Sequence, residues 1–203
     1  MSQKKKQRIQ DKKEKLRQAF NSARASHTSL QKNLIAHRQL TALKRTSAFK
    51  RAKRIALYYS VNNEACTQLI FEHALRSGKQ CFLPCIQDDK HMHFKAHHRT
   101  TPLTQNRYRI PEPRFGKRVH SRHMDLVITP LTSVDSHGTR IGMGGGYYDR
   151  TFAFKQRARH TQLIGLSSTP VSQQRLPKDP WDIQLDGVLT PSTFLKTKKS
   201  AKH

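Results

Sequence analysis

The sequence has 203 residues, and 39 Lys and Arg against 13 Asp and Glu give it a formal charge of +26. Hydrophobic residues make up only 34% and aromatic residues 7%, enough apolar matter for one domain or at most two small ones. No run approaches the roughly 18 apolar residues that span a bilayer, and no apolar stretch follows the basic start as it would in a secretory signal. A cytoplasmic, monomeric protein is expected.

The charge is unevenly spread. Residues 1–54 carry 17 basic and 2 acidic residues, a net of +15, and residues 194–203 add four basic ones. The stretch between them is close to ordinary. This predicts a basic disordered start over 1–8, a single α/β domain over 9–193, and a basic tail over 194–203 too polar to pack.

Within the domain, Ile9, Leu16, Ala19, Phe20 and Ala23 recur at helical spacing and predict a helix from Ile9 to Ala25. A second helix is expected from Ser29 to Ala48, burying Leu30, Leu34, Leu40 and Leu43. The period then shortens: Arg54 to Ser60 is an apolar run bounded by polar residues and reads as a buried strand. Asn63 is placed to cap a helix running from Glu64 to Ser77, closed by Gly78.

Cys81 to Pro84 and Met92 to Ala96 read as further strands, and the polar, basic stretch 97–122 as a long surface connection. Met124 to Pro130 is the clearest strand. After it come a glycine-rich loop, a helix from Tyr147 to Arg159, and strands over Gln162 to Ser167 and Gly187 to Thr190. This order describes a three-layer α/β sandwich with a largely parallel sheet and N-terminal helices.

Three cysteines cannot form a disulfide framework, and a reducing compartment suits them. Cys81 and Cys85 read as small buried hydrophobes. His91, His93, His97 and His98 lie in polar surroundings without cysteines or well-spaced carboxylates, and read as loop residues rather than a metal site.

The loop Asp135 to Arg150 is the informative stretch. It follows a strand and opens a helix, which in an open α/β sheet is where ligands bind. Five glycines at 138, 142, 144, 145 and 146 let the backbone approach a ligand, and the N–H groups at the helix start favour phosphate. The Walker and dinucleotide patterns both fail: no glycine precedes Lys and then Ser or Thr, and Tyr147 stands where a third dinucleotide glycine belongs.

Gly142-Met-Gly-Gly-Gly-Tyr-Tyr-Asp-Arg150 resembles the signature of the 5-formyltetrahydrofolate cyclo-ligases, also called methenyltetrahydrofolate synthetases. Three other segments agree in order and spacing: Lys13-Glu-Lys-Leu-Arg17, Asn63-Glu-Ala-Cys-Thr67, and Pro180-Trp-Asp-Ile-Gln-Leu-Asp186. The resemblance spans about residues 13 to 191. It implies conversion of 5-formyltetrahydrofolate to 5,10-methenyltetrahydrofolate at the expense of ATP, with Mg2+.

By this resemblance, Lys13 and Arg17, four apart on one helix side, bind ATP together with Arg140, Ile141, Gly142, Met143, Gly144, Gly145, Gly146, Tyr147 and Tyr148. Tyr59, Glu64 and the segment Met143 to Tyr147 contact the folate, and Asp149 and Asp182 bind magnesium. The sequence departs from the family at Cys66, where an acidic residue is common, and at Met143 and Gly145, where some members carry Arg and Lys. Two other classes compete: a basic nucleic-acid-binding protein without catalysis, since +26 attracts phosphate, and an ATP-dependent kinase or ligase acting on another substrate. Incidental nucleic-acid binding alongside catalysis is a further expectation.

Overall fold

In the computed structural model, which describes residues 3–156 and 160–198, the chain starts with α1 (Gln3–Ala25), α2 (Ser29–Arg45) and α3 (Ser47–Arg51). Then follow β1 (Arg54–Ala56), α4 (Gln68–Arg76), β2 (Gln80–Ile86) and β3 (Met92–Ala96), and a small hairpin of β4 (Leu103–Gln105) and β5 (Pro111–Pro113). After these come β6 (Leu126–Pro130), the hairpin strands β7 (Ser133–Val134) and β8 (Arg140–Ile141), α5 (Tyr147–Thr151), β9 (Gln162–Leu166), β10 (Gly187–Leu189) and β11 (Phe194–Lys196).

Seven strands form one sheet in the order β11-β10-β9-β6-β1-β2-β3. The inner five are parallel, and β3 and β11 close the edges antiparallel. Both faces of the sheet are covered, so successive residues serve opposite cores and the strands read as continuous apolar runs. In β6, Leu126 and Ile128 join Ile55, Ile164, Leu166 and Leu189 against α2, α3 and α4. Val127 points the other way, with Ala56, Leu163 and Val188, against Phe152 and Ile183. Each such Val, Leu, Ile or Phe side chain contributes about 1.5–3 kcal/mol by burial.

From β1 the strand order runs outward in both directions, to β2 on one side and to β6 and β9 on the other. The carboxyl ends of β1 and β6 therefore flank a reversal point, which opens a crevice in such sheets.

Several boundaries differ from the sequence-based expectations. Residues 3–8 lie in α1 rather than in a loose start. Phe194 to Lys196 pair with β10 rather than forming a tail, with Val188 opposite Leu195; positions 199–203 lie outside the described residues. The second helix breaks at Thr46, whose side chain accepts the Phe49 N–H and restarts the chain as α3.

On α2, Leu43 is fully buried, but Leu30 and Leu34 are 81% and 51% exposed, because Ala36 and Gln39 face the sheet instead. Gln39 donates to the carbonyls of Ser167 and Leu189. The helix expected from Glu64 begins at Gln68: Asn62 and Asn63 take left-handed φ of 50° and 59°, which no helix start accommodates. The helix expected to reach Arg159 ends as α5 at Thr151, followed by a 3-10 turn over Ala153–Gln156; 157–159 lie outside the described residues. The surface connection 97–122 contains the β4–β5 hairpin.

Cys81 and Cys85 are buried, with thiols pushed up to about 12 by burial, while Cys66 is exposed. Among the described residues no three His, Cys, Asp or Glu side chains gather as a metal cluster, and no helix is long and apolar enough to cross a membrane.

Candidate active site

The crevice at the reversal point is a cavity of about 630 Å³, and each site residue nominated from the sequence lines it. Among the chain segments that converge there are α1, the loop after β1, and the glycine loop beyond β6.

The glycine loop is carried on a pinned hairpin. Buried Asp135 accepts the N–H groups of His137, Thr139 and Leu176, fixing the turn between β7 and β8. Gly138, at φ +79°, must be glycine: a Cβ there would lie 2.7 Å from the Leu185 carbonyl oxygen. Beyond β8, Gly144 and Gly146 adopt φ of 98° and 68°, and Gly146 turns the chain into α5. Met143 stands half exposed on the loop.

Arg140 and Asp149 brace the loop from below. The Arg140 guanidinium donates to Asp149 Oδ1 at 2.8 Å and to the Ile183 carbonyl at 2.6 Å. Asp149 Oδ1 also accepts the Ile183 N–H at 2.9 Å. Arg150 donates to the Gly145 carbonyl at 2.9 Å.

α1 meets the cavity through charge. Lys13 is buried, its Nζ 2.8 Å from Asp179 and 2.6 Å from Asp182. Asp182 also accepts the Asp179 N–H, so the 179–182 turn presents both carboxylates to the helix. Arg17 donates through Nε to the Gly142 carbonyl at 2.8 Å and through Nη1 to Glu14 at 2.8 Å. Its Cζ lies 3.7 Å from where a Cβ on Gly144 would stand, so the guanidinium covers the loop backbone. Further along α1, buried Arg24 donates to the Leu131 carbonyl.

The third wall follows β1. Tyr58 is buried and donates to the Ala65 carbonyl at 2.6 Å, while Tyr59 is exposed on the cavity side. Glu64 accepts the Val61 N–H at 3.1 Å. Burial pushes its carboxyl above the usual range, opposed by that N–H and by Arg24. Burial likewise raises the Tyr58 and Tyr148 hydroxyls, and ionised Glu64 adds to both.

Sequence reasoning missed two parts of the lining. The β4–β5 hairpin brings Asn106, Tyr108 and Ile110 to the rim, and Asp179 and Trp181 come from the 179–182 turn. Arg107 donates to the Tyr147 hydroxyl at 2.7 Å, and the Tyr108 and Tyr147 hydroxyls lie 3.2 Å apart. Three-residue polar strands carry no periodic signal that would have revealed the hairpin. Of the two aspartate partners of Lys13, Asp182 was nominated from the sequence and Asp179 was missed.

The donor set suits a magnesium ion that arrives with phosphates rather than one caged by protein. Asp149 and Asp182 each use one oxygen on a cation and a backbone N–H, while no hydrogen bond to a described residue engages the other oxygen. One or two carboxylates completed by phosphate and water is the usual magnesium arrangement.

A glycine loop and a row of cations at the carboxyl ends of parallel strands line the cleft of this α/β fold, the place where open sheets of this kind bind their ligands. The family model for the 5-formyltetrahydrofolate cyclo-ligase family matches residues 9–191. The chain is 36% identical over 145 residues to the 5-formyltetrahydrofolate cyclo-ligase of Escherichia coli, covering 70% of this chain and 79% of that one. It is 30% identical over 182 residues to the Haemophilus influenzae protein of the same name, covering 88% and 97%. Among solved structures, the Aquifex aeolicus 5,10-methenyltetrahydrofolate synthetase superposes with a TM-score of 0.79 at 26% identity, over 94% of this chain and 96% of the other.

The chain belongs to the 5-formyltetrahydrofolate cyclo-ligase family and is an enzyme, a ligase, which sets aside the reading of a basic protein without catalysis.

Proposed function

We propose that the protein closes 5-formyltetrahydrofolate to 5,10-methenyltetrahydrofolate, using ATP to activate the formyl oxygen. The observation that carries this reading is the convergence of the phosphate-facing cations, the glycine loop and the Tyr59–Glu64 wall on one cavity.

The chemistry needs the ATP because an amide oxygen is a poor leaving group. The formyl oxygen attacks the γ-phosphorus and ADP departs, leaving an iminium phosphate. The 10-position nitrogen then adds to the activated carbon, loses its proton, and the C–O bond breaks to release inorganic phosphate. The protein's part is positioning and neutralisation of charge on the transferring phosphoryl group.

Lys13, Arg17 and the Arg140–Tyr148 segment hold the triphosphate, with the loop N–H groups as donors. Tyr59 and Glu64 orient the folate, with Met143–Tyr147 between the two ligands. A carboxyl with a raised pKa, such as that of Glu64, is suited to hydrogen bonding with ring nitrogens of the substrate. Asp149 and Asp182 would hold magnesium, which supplies charge neutralisation on the phosphates.

The test is to mix purified protein with 5-formyltetrahydrofolate, ATP and magnesium and to follow the near-ultraviolet absorbance of the methenyl product. The expected result is a rise that requires both ATP and magnesium. Folded protein that binds ATP but yields no product would assign the cleft to another substrate.

A further inference from the structure

The cleft uses a small part of the charge of +26, and the rest is not randomly placed. A second cavity, of about 640 Å³, lies between α2, α3 and the β10–β11 edge. Arg38 and Arg45 enter it from α2, Arg51 from the end of α3 and Lys196 from β11. All four are exposed, and none makes an ion pair or side-chain hydrogen bond with a described residue. The acidic residue of the lining, Asp186, is engaged by Lys155 at 2.6 Å and by the Leu163 N–H.

Positive charge continues beyond the cavity along the same face. Lys44, Arg76 and Lys79 lie close enough to His73 to hold its imidazole below the ordinary range, after burial. The acidic residue of α4, Glu72, is already paired with Arg99. The strip thus runs from β11 across α2 and α3 to α4, on the sheet face opposite α5.

We propose that this strip is a nucleic-acid-binding surface that takes the phosphodiester backbone of a single strand, independently of the active-site cleft. Concave cationic surfaces with low-dielectric walls focus field on an anion. A strip extending past a single cavity suits a polymer with regularly spaced phosphates better than a lone nucleotide. The aromatic residue of the lining, Phe194, has its ring packed within 2.5 Å of where a Gly187 Cβ would stand, so it serves the fold rather than base stacking. Recognition is accordingly by charge, without sequence preference.

The test uses the full chain and a fluorescent oligouridylate of about 20 nucleotides, titrated over a range of salt. Arg38→Gln, Arg45→Gln and Arg51→Gln are combined in one variant. Arg8→Gln, Lys12→Gln and Lys15→Gln, on the exposed side of α1, form a charge-matched control.

The strip variant is expected to bind at least about tenfold more weakly, with the slope of log affinity against log salt reduced by about 2. The control should change far less, and cyclisation activity should be intact in the strip variant. Lysine-directed labelling adds a measurement on the unaltered protein: the oligomer should shield Lys44 and Lys196 but not Lys12 and Lys15. Absence of binding, equal loss in both variants, or shielding confined to α1 would overturn the proposal. So would complete displacement of the oligomer by tripolyphosphate at equal phosphate concentration, which would indicate a local anion site.

Discussion

Replacing Arg17 by alanine tests the reading of the cleft most directly. The side chain joins α1 to the glycine loop: Nε donates to the Gly142 carbonyl at 2.8 Å, and the guanidinium Cζ lies 3.7 Å from where a Cβ on Gly144 would stand. Truncation removes a charged hydrogen bond that is largely shielded from water, worth about 1.5–3 kcal/mol. If that energy is expressed in the bound state, kcat/KM for ATP falls about 10- to 150-fold.

Arg17→Lys is expected to fall between the two, because an ammonium offers one compact charge and cannot donate to Gly142 while also presenting a flat face to the loop. The assay is initial-rate cyclisation at varied ATP, with ATP binding measured separately and thermal unfolding confirming the fold. The global fold should be little affected, since α1 contributes none of the buried hydrophobic side chains among the described residues. An alanine variant that stays folded and keeps kcat/KM for ATP within about threefold of the parent would refute the assignment of Arg17 to the phosphates.

Asp149→Asn should abolish cyclisation, and it should also cost about 1–2 kcal/mol of stability by weakening the Arg140 and Ile183 contacts, read by denaturant unfolding. Gly138→Ala should destabilise by about 2 kcal/mol or more, since a positive φ combines with a Cβ 2.7 Å from a backbone oxygen; unchanged unfolding would contradict the turn geometry. Burial of Glu64 implies a pH effect. Its folded pKa lies above 4.5, so its contribution to stability is present below that value and is lost as pH rises through the folded pKa. Glu64→Gln should remove that dependence, and parallel stability-versus-pH curves for the two proteins would show that the carboxyl is not desolvated.

The parallel sheet was legible because its strands are buried on both faces, and continuous runs such as Leu126 to Pro130 have no other stable reading. The glycine loop was legible because Gly144 and Gly146 sit at φ values that other residues avoid. The N-terminal helices were harder. Hydrophobic periodicity assumes that a helix buries its apolar stripe, yet Lys13 and Arg24 are buried on α1 while Leu30 and Leu34 of α2 face water. The start of α4 was misplaced because Asn63 was read as a cap, whereas its left-handed backbone keeps it in the preceding loop. Arg107 and Tyr108 reach Tyr147 over about 40 residues of sequence, through a hairpin too short to leave a pattern.

The way α1 is fastened has a thermodynamic consequence. Lys13 to Asp179 and Asp182, Arg17 to Gly142, and Arg24 to Leu131 form a polar seam, in contrast to the apolar cores on either side of the sheet. Ions screen pairs as buried as these only weakly, whereas kosmotropic salts such as sulfate strengthen the burial of hydrocarbon. A kosmotropic salt therefore tightens the sheet more than it alters the attachment of the helix that rests on it. Two cations of that seam, Lys13 and Arg17, are also those assigned to the triphosphate, so occupancy of the cleft and attachment of α1 draw on shared charges.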